Sequence, residues 1–380
     1  MEEQAFEPRP LLAKKPVRLI FVGGFVGSGK TTAMAALTRR LLQDGLNVGL
    51  VTNDHAAEMV DTALVRQFGL PVAEVSGGCF GCDLNDLLDA TERVLMQEPD
   101  VLIVEPVASC TDTVASVIMP LKQFYGGVFR ISPFSVLIDP MRLYEMLLEE
   151  NPSEFARCFA PIFHHQLNEA DVLVLNKVDT LSTEEAQRLV NALRQRHPDK
   201  PILTISARRG DGVDEWMQQV MQDAPVNSRV MEKADYKVYE IGGVKLGWLN
   251  ASAQLVAEPF FNAREYADLL LRRLHDAARA RNTEVLHIKL AIYCQGKAMG
   301  ANLLGAYPEP VFGGEDLGDV SHAMLVLNAR LGIDPPTLGG IVAQAIYDTA
   351  KALHVEAEIL KLHTVKPTIP CPRFRMCNPV

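Results

Sequence analysis

The chain has 380 residues, a formal net charge of −10 and a pI near 5.5, which allows two domains with sizeable cores and argues against a nucleic-acid partner. No apolar run reaches the roughly 18 residues of a membrane helix, and the acidic, polar Met1–Pro10 is unlike a signal peptide. Seven scattered cysteines are an odd set for a disulfide framework, so the expected location is the reducing cytoplasm, with no membrane contact.

Residues 1–16 read as an N-terminal tail. Val17–Gly23 reads as a buried strand, and Thr32–Gln43 as a helix with apolar positions at Met34, Leu37, Leu41 and Leu42. Between them stands Gly24-Phe25-Val26-Gly27-Ser28-Gly29-Lys30-Thr31, followed by Thr32. This is a complete phosphate-binding loop in its proper strand–loop–helix context. Gly24, Gly27, Ser28 and Gly29 present backbone N–H groups to phosphate, and the helix N-terminus adds partial positive charge. Lys30 is expected to reach the β- and γ-phosphates and Thr31 to hold Mg²⁺, with Thr32 beside it.

Leu46–Thr52 is the next strand. Asp54 follows it, to bind Mg²⁺ through water, to orient an attacking water, or merely to cap a helix in solvent. Val72–Val75 leads into Ser76-Gly77-Gly78-Cys79-Phe80-Gly81-Cys82-Asp83 at the start of a helix. Cys79 and Cys82 form a C-x-x-C pair whose thiolates a helix start would favour, and thiolates bind Zn²⁺ or Co²⁺. Two thiolates leave a metal short of ligands. Cys371, Cys377 and His363 are candidates to complete the set, and a redox pair or an inert pair are the alternatives. Val101–Glu105 is a strand ending in Glu105, placed to orient Mg²⁺ or its water and, with Lys30 and Asp54, to serve the reaction. Cys110 follows, as a substitute thiolate or a small buried residue. Adjacent His164 and His165 diverge by about 100° on a helix and read as packing or surface groups.

Ser135–Asp139 and Val172–Asn176 are further strands. The second ends in Asn176-Lys177-Val178-Asp179, an N-K-x-D box. A carboxylate at Asp179 matches the N1 and N2 donors of guanine, which adenine lacks. Ile202–Ser206 leads to Ser206-Ala207, placed for a backbone contact to the guanine carbonyl. Alternating strands and helices over 17–225 imply an α/β domain with a mostly parallel sheet, ligands gathering at the strands' carboxyl ends. A small-molecule kinase would share the phosphate loop but has no need of the N-K-x-D box. A linker is expected at 226–235. The segment 236–370 then reads as a smaller α+β domain, beginning with extended structure around a Gly242-Gly243 turn. Its helices at Asn262–Arg281 and Pro335–Leu353 and its strands at His287–Tyr293, Ala323–Asn328 and Val355–Leu362 give a ferredoxin-like β-α-β-β-α-β order. Residues 371–380 form a Cys- and Pro-containing tail, docked or mobile.

The G-F-x-G-S-G-K-T-T loop, the G-C-x-x-C segment before a helix, the strand ending in Glu105, the N-K-x-D box and Ser206-Ala207 together resemble the CobW-like metallochaperone GTPases, relatives of the UreG and HypB nickel-insertion proteins. The resemblance covers about residues 17–225. It implies a P-loop GTPase fold and slow GTP hydrolysis with Mg²⁺ that gates delivery of Zn, Co or Ni to a client metalloprotein. It also implies metal ligation by Cys79 and Cys82, and guanine reading by Asn176 and Asp179. A corrinoid-loading chaperone for a cobalamin-dependent enzyme and a regulatory GTPase without metal are the alternatives. The loop region has no arginine finger, so a partner or a homodimer would supply positive charge in trans. Two departures stand out. The family's G-C-x-C-C has Gly81 at its middle cysteine, and its Glu-Thr-[Ser/Thr]-Gly has become Glu105-Pro106-Val107-Ala108, replacing the glycine that would sense the γ-phosphate.

Overall fold

A computed structural model describes residues 7–54, 71–76, 79–108, 110–223, 246–305, 307–366 and 372–376. The expected linker 226–235, the Gly242-Gly243 turn, Cys371 and Cys377 lie outside the described residues. Two compact units are present, one formed by the described residues up to Asp223 together with 372–376, the other by those of 246–366.

In the first unit the order is β1 (Val17–Gly24), α1 (Lys30–Gln43), β2 (Val48–Asp54), β3 (Val72–Ser76), α2 (Leu84–Leu95), β4 (Val101–Glu105) and α3 (Met119–Tyr125). Next come β5 (Phe129–Ile131), β6 (Ser135–Ile138), a one-turn α4 (Pro140–Leu143), α5 (Glu154–Glu169), β7 (Val172–Leu175), α6 (Thr183–Arg196), β8 (Ile202–Thr204) and α7 (Val213–Met221). The sheet runs β3-β2-β4-β1-β6-β7-β8, with the short β5 pairing the start of β1. Every pairing is parallel. β1, β4, β6 and β7 are mostly apolar runs, interrupted at Arg18, Glu105 and Ser135, and are buried almost throughout, as strands covered on both faces must be. The core on one face gathers Ile20, Val22, Met34, Leu37, Leu50, Val174 and Trp216. The Trp216 indole N–H donates to Ser135 Oγ at 3.0 Å, which satisfies the one polar atom of that buried ring. Since all strands point the same way, the turns after β1, β2, β3, β4, β7 and β8 open on a single edge.

The second unit runs β9 (Gly247–Asn262), α8 (Ala263–Arg279), β10 (Val285–Cys294), β11 (Lys297–Leu304), β12 (Tyr307–Gly314), β13 (Asp319–Leu331), α9 (Pro335–Ala352) and β14 (Glu356–Val365). Its sheet order is β12-β11-β10-β13-β9-β14, antiparallel throughout. Removing β11 and β12 leaves the expected ferredoxin-like β-α-β-β-α-β unit, so these two strands extend one edge of it. The added hairpin starts at Gln295-Gly296, whose φ values of 50° and 79° fit a two-residue type I′ turn. Leu255, Leu270, Leu274, Ile288, Leu290, Leu325 and Ile346 form a core separate from that of the first unit.

Candidate functional site

The loop between β1 and α1 is shaped for an anion. Lys30, 6% exposed, donates from Nζ to the carbonyls of Gly24 at 3.0 Å and Phe25 at 3.4 Å, and lies 3.7 Å from Glu105 Oε1. A cation held by carbonyls of its own loop is poised to exchange them for phosphate oxygens. Ser28 Oγ is buried with no hydrogen-bond partner, an orphaned donor inside the cradle. Gly29 has φ of 86°, and a Cβ there would meet Asn176 Nδ2 at 2.5 Å, so this position demands glycine on both counts. Thr31 is half-buried and Thr32 exposed at the start of α1.

The turn after β7 is braced onto that loop. Asn176 Nδ2 donates to Ser28 O at 2.8 Å, and Asn176 Oδ1 accepts from the Ala207 N–H at 3.0 Å. Lys177, at φ of 59°, extends Nζ to Gly27 O at 2.7 Å and to Asp139 Oδ2 at 2.6 Å. Ser206 Oγ donates to Asp179 Oδ1 at 2.7 Å and accepts from the Arg209 N–H at 3.2 Å. The structure therefore gathers Gly24, Gly27, Ser28, Gly29, Lys30, Asn176, Lys177, Asp179, Ser206 and Ala207 at one edge, with Glu105 beside Lys30. Asp54 ends β2 at that edge, and its side chain lies outside the described residues.

The cysteine segment is next to it. Asn53, at the end of β2, accepts from the Phe80 N–H at 3.1 Å and donates to Val75 O at 3.0 Å, fixing the turn that carries Cys79. The Cys82 and Asp83 N–H groups both donate to Cys79 O, and Asp83 caps α2 through the Asn85 N–H. The third thiol comes from the loop after β4: Cys110 Sγ lies 4.0 Å from Cys79 Sγ. A Cβ on Gly81 would stand 2.9 Å from Cys110 Sγ and 3.4 Å from Cys79 Sγ. The space beside Gly81 is thus filled by a thiol from another element. The sequence offered Cys110 as a substitute thiolate or a small buried residue; its approach to Cys79 depends on parallel pairing of β2, β3 and β4 and has no local signal.

The expectation of a favoured thiolate at Cys79 is corrected. Its hydrogen bond with the Cys110 thiol pushes the Cys79 pKa well above the ordinary thiol range, and burial adds to this, while Cys82 acts in the opposite direction. Among the described residues no three or more His, Cys, Asp or Glu side chains are gathered as a ready ligand set. Charge on Cys79 would need a cation to offset it. His363 is exposed on β14 of the second unit. His164 and His165 are adjacent on α5, and burial lowers both pKa values, in keeping with packing groups.

The loop after β4 is held from behind by α5. Gln166 Nε2 donates to the carbonyls of Ala108 and Cys110, each at 2.9 Å. The Glu169 carboxylate accepts from the N–H groups of Asp112, Thr113 and Val114 at 2.9–3.2 Å. Burial and then the adjacent Asp112 carboxylate push the Glu169 pKa up to about 8, against those three donors.

Residues 18–204 match the family model described as the nucleotide-binding domain of CobW/HypB/UreG. A CobW/HypB/UreG nucleotide-binding domain is thus present over these residues, just under half of the chain. Relatives of the CobW/HypB/UreG type include the hydrogenase maturation factor HypB of Escherichia coli K12, 26% identical over 195 residues, covering 50% of this chain and 58% of that one. The zinc chaperone CobW of a Sinorhizobium species is 26% identical over 218 residues, with coverage of 50% and 58%. The zinc chaperone YeiR of E. coli K12 is 24% identical over 197 residues, with coverage of 51% and 57%. The chain thus spans under two thirds of the length of these relatives. Among solved structures, HypB of Archaeoglobus fulgidus gives a TM-score of 0.36 at 20% identity, covering 53% of this chain and 87% of that one. Zn(II)-bound YjiA of E. coli gives 0.36 at 15% identity, with coverage of 87% and 99%. No helix among the described residues is long and apolar enough to cross a membrane.

Proposed function

We propose that this protein binds GTP, hydrolyses it slowly, and uses the cycle to gate delivery of a divalent metal, Zn²⁺, Co²⁺ or Ni²⁺, to a client protein. The observation that carries the reading is the path of one loop. It leaves β4 at Glu105, 3.7 Å from Lys30 in the phosphate loop, and five residues later places Cys110 Sγ 4.0 Å from Cys79 Sγ. A change at the nucleotide therefore acts on a cysteine ligand through a short stretch of the same chain. Relatives named as zinc chaperones support the metal part of the reading.

In this reading Asp179 accepts from the guanine donors, and Ser206 orients its carboxylate. The Ala207 region lies over the guanine carbonyl. Lys30 exchanges the Gly24 and Phe25 carbonyls for β- and γ-phosphate oxygens. Thr31 would hold Mg²⁺, with Glu105 reaching it through water; the ion would neutralise charge on the phosphates. Cys79 and Cys82 bind the transported metal, and Cys110 supplies the thiol absent at position 81. The three sulfurs are not gathered as a ready set among the described residues, so binding would have to draw them together, and a tetrahedral ion would then keep one open position, suited to passing it on.

Zn²⁺ and Co²⁺ affinities of the GDP and GTP-analogue forms, measured by chelator competition, test this. The wild type binds metal with different affinity in the two forms, and the Cys79→Ser, Cys82→Ser variant loses that binding. Wild-type protein that binds no metal would leave a GTPase that acts on its partner by shape alone.

A further inference from the structure

Residues 372–376 lie on the first unit, where they meet the cysteine segment and the elements that follow the β4 loop. The Arg373 N–H donates to Cys82 O at 2.9 Å, and the Met376 N–H donates to Ala115 O at 3.0 Å. The Arg373 guanidinium pairs with Asp83, the cap of α2. Phe374 packs on Phe124 of α3, centroids 6.3 Å apart. Arg375 grips Asp112 with both arms of its fork, Nε to Oδ2 at 2.5 Å and Nη2 to Oδ1 at 3.0 Å.

Asp112 is an unusual residue to hold. Its side chain is fully buried, its φ is +71°, and it lies against the buried Glu169 carboxylate. A non-glycine residue at positive φ is strained and persists only where its surroundings hold it. A buried carboxylate beside another needs a counter-ion. Arg375, from the far end of the chain, supplies one. Asp112 is also two residues from Cys110, so the grip ends at the segment that runs from Glu105 to the thiol.

We propose that residues 372–376 form a latch on the metal-handling site, and that Arg375 is the positioning residue through which this latch and the β4 loop respond to each other. The inference rests on the metallochaperone reading. It adds that the movement of the loop between nucleotide states is coupled to the seating of the C-terminal segment. The segment touches Cys82 through its own backbone, so the latch spans both sources of thiol, the turn after β3 and the loop after β4. By reciprocity, whatever nucleotide does to the latch, the latch does to nucleotide affinity, and because the same loop carries Cys110 the nucleotide dependence of metal affinity follows the latch.

Hydrogen–deuterium exchange on the wild-type chain in its GDP and GTP-analogue forms reads the latch directly. Protection of the Arg373 and Met376 amides differs between the forms by roughly the 5- to 150-fold typical of coupled sites. Equal protection overturns the proposal. Zn²⁺ affinity is then measured in both forms for Arg375→Ala and Arg375→Lys. The ratio between forms falls toward one in Arg375→Ala and is partly restored in Arg375→Lys, which keeps the charge but loses the fork. By linkage, the ratio of GTP-analogue to GDP affinity shifts in Arg375→Ala as well, by up to the factor that separates latch protection in the two forms. An unchanged ratio in Arg375→Ala, with only a lower melting temperature, would show a structural clamp and overturn the coupling. Wild-type protein without a metal-affinity ratio would instead defeat the metallochaperone reading, and that outcome is separate from failure of the variants.

Discussion

Replacing Gly81 with alanine tests whether this position is kept clear for Cys110. The added Cβ would sit 2.9 Å from Cys110 Sγ, inside contact distance, while Cys79 Sγ at 3.4 Å and Ser116 Oγ at 3.5 Å are at ordinary contact. The backbone imposes no penalty, since Gly81 is not among the residues at positive φ. Overpacking of a buried site typically costs about 1–3 kcal/mol. The lost freedom of the unfolded chain returns about 0.4–1 kcal/mol. The net expectation is a loss of about 1–2 kcal/mol, or a melting temperature lower by about 2–8 °C for a domain of this size. In a Cys110→Ala background the clashing sulfur is gone, and the same change should stabilise by about 0.4–1 kcal/mol. The sign reversal is the signature, a coupling of about 2 kcal/mol between two contacting positions. Urea unfolding of metal-free protein, followed by circular dichroism and by the fluorescence of Trp216, which is fully buried in the first unit, measures it. Equal losses in the two backgrounds, or no loss in the first, would refute the reasoning.

Asp179→Ala should weaken GTP binding by about 1.5–3 kcal/mol, the range for a hydrogen bond to a charged group, and leave ATP binding unchanged; calorimetric titration of both nucleotides with Mg²⁺ checks it, and equal wild-type affinities would refute the guanine assignment. Lys30→Ala should abolish phosphate release, with the circular dichroism spectrum as a check on the fold; turnover at the parental rate would place the chemistry elsewhere. Glu169 gives a pH signature. Its pKa rises from 4.5 to about 8 in the fold, so the folded chain retains a proton that the unfolded chain has released. The stability this supplies is complete below pH 4.5 and is lost as pH rises toward about 8. The urea midpoint should fall across that window, and Glu169→Gln should flatten the fall; an unchanged slope would remove Glu169 as its source.

The parallel sheet was legible because its strands are nearly unbroken apolar runs, and the gathering of the motif residues at one sheet edge because they follow those runs. The ferredoxin-like core was legible from the amphipathic helices α8 and α9. The hairpin β11–β12 was not. Lys297–Leu304 is rich in alanine and glycine, Tyr307–Gly314 carries proline and two glycines, and neither alternates apolar with polar residues. Three-residue β5 was too short to register. The environment of Cys79 went against expectation because a helix start favours a thiolate, whereas the deciding neighbour, Cys110, is 31 residues away. The seating of Arg375 on Asp112 spans 263 residues and leaves no trace in local pattern.

The bracing of the N-K-x-D box bears on how freely its positions can drift. Asn176 spans Ser28 O and the Ala207 N–H, and Lys177 spans Gly27 O and Asp139. These two side chains are struts of the phosphate cradle before they are neighbours of any base. Asp179 is held only through the rotatable Ser206 hydroxyl in the contacts described above. Under the proposed guanine reading, Asp179 is the freest of the three box positions for retuning base preference. Substitution at either of the other two would deform the cradle and erase nucleotide binding of every kind, and screens scored on turnover alone would mistake that collapse for a change in specificity.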